Sequence, residues 1–242
     1  MNILVTRPLG QQEQLQEQLL TAGFESRHLP LLKIEPVEID AIDRQAVLNL
    51  DKFSGVIVIS PNAASYGLDL IDQYWPQLPI KQTWLTIGTG TKDILAQHGI
   101  QAIIPATGTT TEDLINLPQL KEINDQSWLI IRGQGGRELL AQCLKERGAQ
   151  VTYLEVYQRG CPVYTEQETL AKINWSDVIL VSSGQALENL TTLTSNKLLF
   201  KKTVVVSSTR LMHIAKRLGW RNPVLAAGAN NNQMIDAIQN LT

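Results

Sequence analysis

Soft and imidazole ligands are scarce in this sequence, with two cysteines and three histidines among 242 residues. Cys143 and Cys161 cannot build a disulfide framework, and such sparse cysteine use fits a reducing cytoplasm. His28, His98 and His213 have no ligand-like spacing to one another or to the cysteines, so no metal site is expected. The patterns G-x-S-x-G, H-E-x-x-H and C-x-x-C are absent, which removes the usual signatures of a nucleophile elbow, a zinc protease and a thiol redox pair. No apolar run approaches the roughly 20 residues that a membrane helix requires. The opening "MNILVTRPLGQQEQ" carries no basic leader and turns polar too soon for a signal peptide. Excess charge of one sign is missing too. Lys and Arg number 21 against 23 Asp and Glu, a formal net charge of −2, so neither nucleic acid nor an anionic membrane is an expected partner.

What the chain does hold is 43% hydrophobic residues, enough for one core or two, and an internal repeat. "LVTRPLG" from Leu4 falls on "LIIRGQG" from Leu129, so that Arg7 meets Arg132, Gly10 meets Gly135 and, further on, Gly23 meets Gly148. "VIVISPNAA" from Val56 matches "VILVSSGQA" from Val178, with Ser60 over Ser182. "WLTIGTGT" from Trp84 matches "VVVSSTRL" from Val204, and "ATGTTTEDLI" from Ala106 matches "AAGANNNQMI" from Ala226. Each unit has one grammar. A short β-branched run reads as a strand buried on both faces, and a segment with helical apolar spacing follows it. Gly23, Gly99, Gly148 and Gly219 stand where such helices should end. The expectation is two similar α/β domains, each a parallel sheet flanked by helices.

The boundary between them is open to two readings. One cut falls at the polar "LKEINDQS", Leu120–Ser127. The other follows the extended, proline-punctuated segments "HLPLLKIEPVEI" and "VTYLEVYQRGCPV", which correspond in the repeat. It exchanges the first unit of each half, giving a discontinuous domain of residues 1–34 plus 163–242, an inserted domain of 38–155, and connections at 35–37 and 156–162.

Ligands of parallel α/β sheets bind beyond the carboxyl ends of the strands, where helix N-termini present free N–H groups. The residues expected there are Thr6, Arg7, Ser60, Asn62, Thr89, Thr109, Arg132, Gly133, Gly135, Arg137, Ser183, Ser207 and Ser208, with Asn230–Asn232. The set is rich in hydroxyls, amides and arginines, and a carboxylate pair, His or Cys is missing from it. Many of these residues are also preferred helix N-caps. As a group they suit a ligand carrying several anions. The glycine cluster "GQGGRE" lacks the G-x-G-x-x-G spacing of a dinucleotide loop and the Lys-Ser/Thr of a P-loop. Glu155, at the distance of a ribose reader, falls in an extended segment. An anion role with Arg132 and Arg137 suits the loop better.

Taken in order, "ILVTRP", "SPNA", "IGTGT", "IRGQGGRELL", "EVYQR", "VSSG" and "VVSSTRL" resemble the uroporphyrinogen-III synthase family over nearly the whole chain. The resemblance implies two α/β domains joined by a two-stranded connection with the active cleft between them, which favours the exchanged boundary. It implies hydroxymethylbilane as substrate, a linear tetrapyrrole with carboxylates on every ring. Closure of that chain expels its terminal hydroxyl as water and inverts ring D through a spiro intermediate. It also implies no cofactor, a monomer, and at most a transient contact with the preceding enzyme of the pathway. The tyrosine of the family's "VYQ" segment maps onto Tyr157 as the candidate acid. A phenol with an ordinary pKa of about 10 is protonated at neutral pH, as an acid must be. Ser60, Thr89, Arg132, Gly133, Ser183, Ser207 and Ser208 map onto substrate-contacting positions. Tyr157 is expected to stay near solvent, so that Tyr157→Phe would leave stability intact.

Overall fold

A computed structural model describes residues 1–108, 110–193 and 197–241. Thr109 lies outside the described residues. In chain order the strands are β1 (Asn2–Val5), β2 (Glu25–His28), β3 (Lys33–Pro36), β4 (Gly55–Val58), β5 (Thr83–Thr86), β6 (Ser127–Gly133), β7 (Gln150–Gly160), β8 (Val178–Val181), β9 (Thr203–Val206) and β10 (Asn222–Leu225). The helices are α1 (Glu13–Thr21), α2 (Ala41–Leu48), α3 (Pro61–Ile71), α4 (Thr89–Gln97), α5 (Thr111–Ile115), α6 (Leu139–Glu146), α7 (Glu166–Trp175), α8 (Gly184–Thr192), α9 (Thr209–Arg217) and α10 (Asn231–Gln239).

The chain forms two compact units, Met1–Lys33 with Gly160–Thr242, and Ile34–Arg159. The first holds a sheet ordered β10-β9-β8-β1-β2, the second a sheet ordered β3-β7-β6-β4-β5. Neighbours pair in parallel throughout the first sheet, and from β7 to β5 in the second. Beyond β5 a bridge from Leu85 to Ile103 stands where β10 stands in the first unit. Thus β6, β7, β4 and β5 repeat β1, β2, β8 and β9, as the internal repeat requires. The strand ends align Ser60 with Ser183, one residue from the expected match to Ser182.

Both faces of each sheet are covered. In the first unit, Leu4, Ile179, Val181, Val204 and Val206 face one core, while Ile3, Val5, Val178, Leu180 and Val205 face the other. In the second, Val56, Val58, Leu129 and Ile131 point one way, and Ile57, Leu85, Trp128 and Ile130 the other. This is why these strands read as unbroken apolar runs rather than alternating ones.

The repeat extends to how helices stop. Gly23, Gly99, Gly148 and Gly219 have φ of +85°, +76°, +84° and +96°. The N–H after each glycine closes back onto a carbonyl of the last turn: Phe24 to Leu19, Ile100 to Leu95, Ala149 to Leu144 and Trp220 to Ala215, at 2.9–3.1 Å. All of Phe24, Ile100, Ala149 and Trp220 are buried, so each turn couples a left-handed glycine to a hydrophobic anchor. Nothing lies within 4 Å of a Cβ added at Gly23, so an alanine there meets only the backbone penalty. Gly23→Ala is expected to lose about 1–2 kcal/mol, and Gly23→Asn less, because Asn enters this region more readily. Urea unfolding measures both, and equal stability of all three proteins would contradict the assignment.

Candidate functional site

Each sheet has one place where the strand order reverses, between β1 and β8 in the first unit and between β6 and β4 in the second. A crevice opens at the carboxyl end of such a junction. The residues leaving these strands are Thr6-Arg7 and Ser182-Ser183 in one unit, and Arg132-Gly133 and Ile59-Ser60 in the other.

Several expected donors are already occupied. Thr6 is buried and its hydroxyl donates to the Leu180 carbonyl at 2.7 Å, tying β1 to β8. Ser60, Ser183 and Ser208 accept from the N–H groups of Ala63, Ala186 and Leu211 and start α3, α8 and α9. Ser207 donates to the Ser182 carbonyl at 3.4 Å. Asn62 lies half-buried in the first turn of α3, and Thr89 is exposed at the start of α4. Capping holds these side chains at the strand ends whether or not a ligand is bound.

Arg7 and Arg132, equivalent in the repeat, differ in surroundings. Arg7 is half-buried beside a cavity of about 480 Å³ that Ser182 and Asn230–Asn232 also line. It donates to Asn231 Oδ1 at 2.7 Å and to the Ala229 carbonyl at 2.9 Å. Burial lowers its guanidinium pKa from the ordinary value, a cost that an arriving anion would offset. Arg132 is only 3% exposed; it pairs with Glu138 at 3.1 Å and Glu155 at 3.8 Å. It also donates to the carbonyls of Gly133 and Gly135 and stacks on Tyr153, 4.6 Å from the ring centre. The Tyr153 phenol donates to Glu138 at 2.5 Å. Burial and that carboxylate push its pKa up to about 12, while the phenol and Arg132 hold Glu138 below its ordinary range. Arg132 therefore folds the glycine loop from inside. The loop's outward cation is Arg137, 74% exposed and 3.6 Å from Glu112. A cavity of about 220 Å³ beside the loop is lined by both arginines, Gly133, Gly135 and Arg159.

Tyr157 departs most from expectation. β7 continues to Gly160, so Tyr157 stands inside the second unit's sheet and is fully buried. The register slips between Arg132 and Gly133: Arg132 faces Glu155, but Gly133 faces Tyr157. The extra residue, Val156, makes a bulge, and a bulge re-aims the side chains that follow it. Val156 and Tyr157, neighbours in sequence, consequently share one core. The Tyr157 ring lies directly on Gly133, where any Cβ would overlap it, and stacks on Tyr66 with centroids 6.0 Å apart. Its hydroxyl lies 3.2 Å from Ser60 Oγ and accepts from Arg159 Nη2 at 2.7 Å. Arg159 was missed in the sequence, although it follows Tyr157 by two residues and so shares its side of an extended strand.

The family model for uroporphyrinogen-III synthase HemD matches residues 13–236. The chain belongs to the uroporphyrinogen-III synthase family. It is 32% identical to the uroporphyrinogen-III synthase of Escherichia coli K12, over 99% of this chain and 100% of that protein. To that of Proteus mirabilis it is 35% identical, over 71% of this chain and 87% of that protein. Two solved structures share the fold at 14% identity: a mutant uroporphyrinogen III synthase from Thermus thermophilus, with TM-score 0.65 over 99% of this chain and 98% of that one, and the synthetase from Helicobacter pylori 26695, with TM-score 0.65 over 100% and 99%. Among the described residues no group of His, Cys, Asp and Glu could hold a metal ion, and no helix is long and apolar enough to cross a membrane.

For this synthase-family chain the two loop arginines should separate in mutagenesis. Arg132→Ala removes a buried cation bonded to carboxylates and to loop carbonyls, and should cost about 2–3 kcal/mol of stability. Arg137→Ala should leave stability within about 0.5 kcal/mol and raise KM if its charge meets a substrate carboxylate. A thermally unaffected Arg132→Ala would contradict the interior role.

Proposed function

We propose that this chain closes hydroxymethylbilane to uroporphyrinogen III, with loss of water and inversion of ring D. The observation that carries this reading is the family match over residues 13–236. The E. coli relative, named for that activity, aligns over its whole length.

Loss of water from a hydroxymethylpyrrole is driven by the pyrrole's own electrons. The protein has to supply a proton to the departing oxygen and hold the chain so that ring D inverts. Tyr157 is the proton source in this reading, a buried phenol at the junction of β4 and β6. The substrate's carboxylates are met by local donors rather than by net charge. Arg7 with its cavity and Ser182 serve in the first unit, with Ser183, Ser207 and Ser208 at its strand ends, and Arg137 serves in the second, with Asn62 and Thr89 at its strand ends. Arg132, Gly133 and Gly135 shape the loop that carries Arg137. In this reading the chain works in the cytoplasm as a monomer, as its resemblance to the family implies. A transient contact with the enzyme that makes the bilane would shorten the substrate's time in water, where it closes without inversion.

The test supplies freshly made hydroxymethylbilane and identifies the uroporphyrin isomer after oxidation. Isomer III is expected, and isomer I alone would overturn the reading. Tyr157→Phe should lower kcat by about 10²–10⁴-fold with KM little changed. Because its hydroxyl is buried and bonded, the same change should also cost about 1–2 kcal/mol of stability, contrary to the solvent-near position expected from sequence. Wild-type turnover by folded Tyr157→Phe would remove this residue from the reaction.

A further inference from the structure

Tyr157 is fully buried, and a fully buried hydroxyl cannot touch a substrate. Its neighbour Ser60 is partly exposed at the carboxyl end of β4. Resting on the function proposed above, we propose that Ser60 is the group that touches the leaving oxygen, with Tyr157 behind it as the proton source and Arg159 as a positioning residue that fixes the direction of transfer.

Counting donors gives the direction. A guanidinium can only donate, so the 2.7 Å contact makes the Tyr157 oxygen an acceptor from Arg159. The single phenolic proton then needs an acceptor, since a buried donor without one is costly. Ser60 Oγ, 3.2 Å away, is the acceptor in reach. That oxygen also accepts from the Ala63 N–H at 3.1 Å. With both acceptor sites filled, the Ser60 proton is left to point away from the protein. The order is Arg159 to Tyr157 to Ser60 to substrate.

The step balances. Ser60 gives its proton to the terminal hydroxyl, the C–O bond breaks and water leaves, and the pyrrole nitrogen's electron pair forms the exocyclic double bond. The Tyr157 proton moves to Ser60 Oγ, leaving a phenolate beside the Arg159 cation, whose guanidinium carbon lies 5.1 Å from the ring centre. The exocyclic carbon bonds to the bridge-bearing carbon of ring D to give the spiro intermediate, and the bond from that carbon to its old methylene bridge breaks. The released bridge carbon bonds to the unsubstituted carbon of ring D, which loses its proton as the pyrrole regains aromaticity. That proton returns through Ser60 to Tyr157. No outside acid, oxidant or reductant is consumed.

A double-mutant cycle on isomer-III formation tests the relay. Ser60→Gly removes the hydroxyl but keeps a residue that helix starts accept at little cost. Alone, it and Tyr157→Phe should each lower kcat about 10²-fold or more with KM within a few-fold. Combined, they should do no worse than the poorer single variant, because one path has been cut twice. Arg159→Met should lower kcat about 10–100-fold, the loss of one charge-assisted hydrogen bond. Arg159→Lys should recover part of that loss. In the Tyr157→Phe background Arg159→Met should do nothing further, an outcome that a merely structural arginine would not give. Multiplicative losses in folded double variants would overturn the relay, as would full turnover by Ser60→Gly beside a crippled Tyr157→Phe. Isomer I alone from the wild-type protein would instead bring down the functional reading on which the relay rests.

Discussion

One contact holds this site in place: the ring of Tyr157 resting on the bare Cα of Gly133 across the slip between β6 and β7. A side chain at Gly133 would displace the ring. Without the extra residue at Val156, strand alternation would carry Tyr157 to the other face of the sheet. With both in place, the phenol is carried to the Ser60 hydroxyl and the Arg159 guanidinium. Neither partner is buried as Tyr157 is, so the packing of one ring sets the geometry of groups that solvent reaches.

The arginines show how an acidic chain can serve a polyanion. With a net charge of −2, long-range attraction contributes little. Arg132 is consumed by Glu138, Glu155 and the carbonyls of its own loop. That interior cation is what gives Gly133, Gly135 and Arg137 a fixed place to stand. Arg7, its counterpart, instead reaches across to Asn231 and Ala229 and keeps a cavity beside it. One residue at one point of a repeated unit has become a scaffold in one copy, while the other copy leaves it available to an anion.

Much of the fold was legible because the same local physics occurs twice. Unbroken β-branched runs such as Val56–Val58 and Val204–Val206 mark strands covered on both faces, and the structure buries them so. Gly23, Gly99, Gly148 and Gly219 mark helix ends, and each adopts the left-handed conformation. Ser60, Ser183, Ser208 and Asn230 were legible as strand-end residues, and each proves to be an N-cap. The site was less legible. Residue types show that Arg132 can bind an anion, but not that Glu138 and Glu155 fold back to occupy it. A bulge adds no residue type of its own, so the burial of Tyr157 could not be read from "EVYQR". Arg159 was visible only by continuing the strand's alternation past Tyr157, through a segment read as a connection.

The most direct measurement is the steady-state turnover of Gly133→Ala on hydroxymethylbilane, read beside its folding. The substitution removes no polar group and no charge; it only pushes the Tyr157 ring off the strand. A protein that still folds, with kcat lowered about 10-fold or more and KM near the wild-type value, is the predicted result. Wild-type kcat in folded Gly133→Ala would contradict the claim that this contact aims the catalytic hydroxyls.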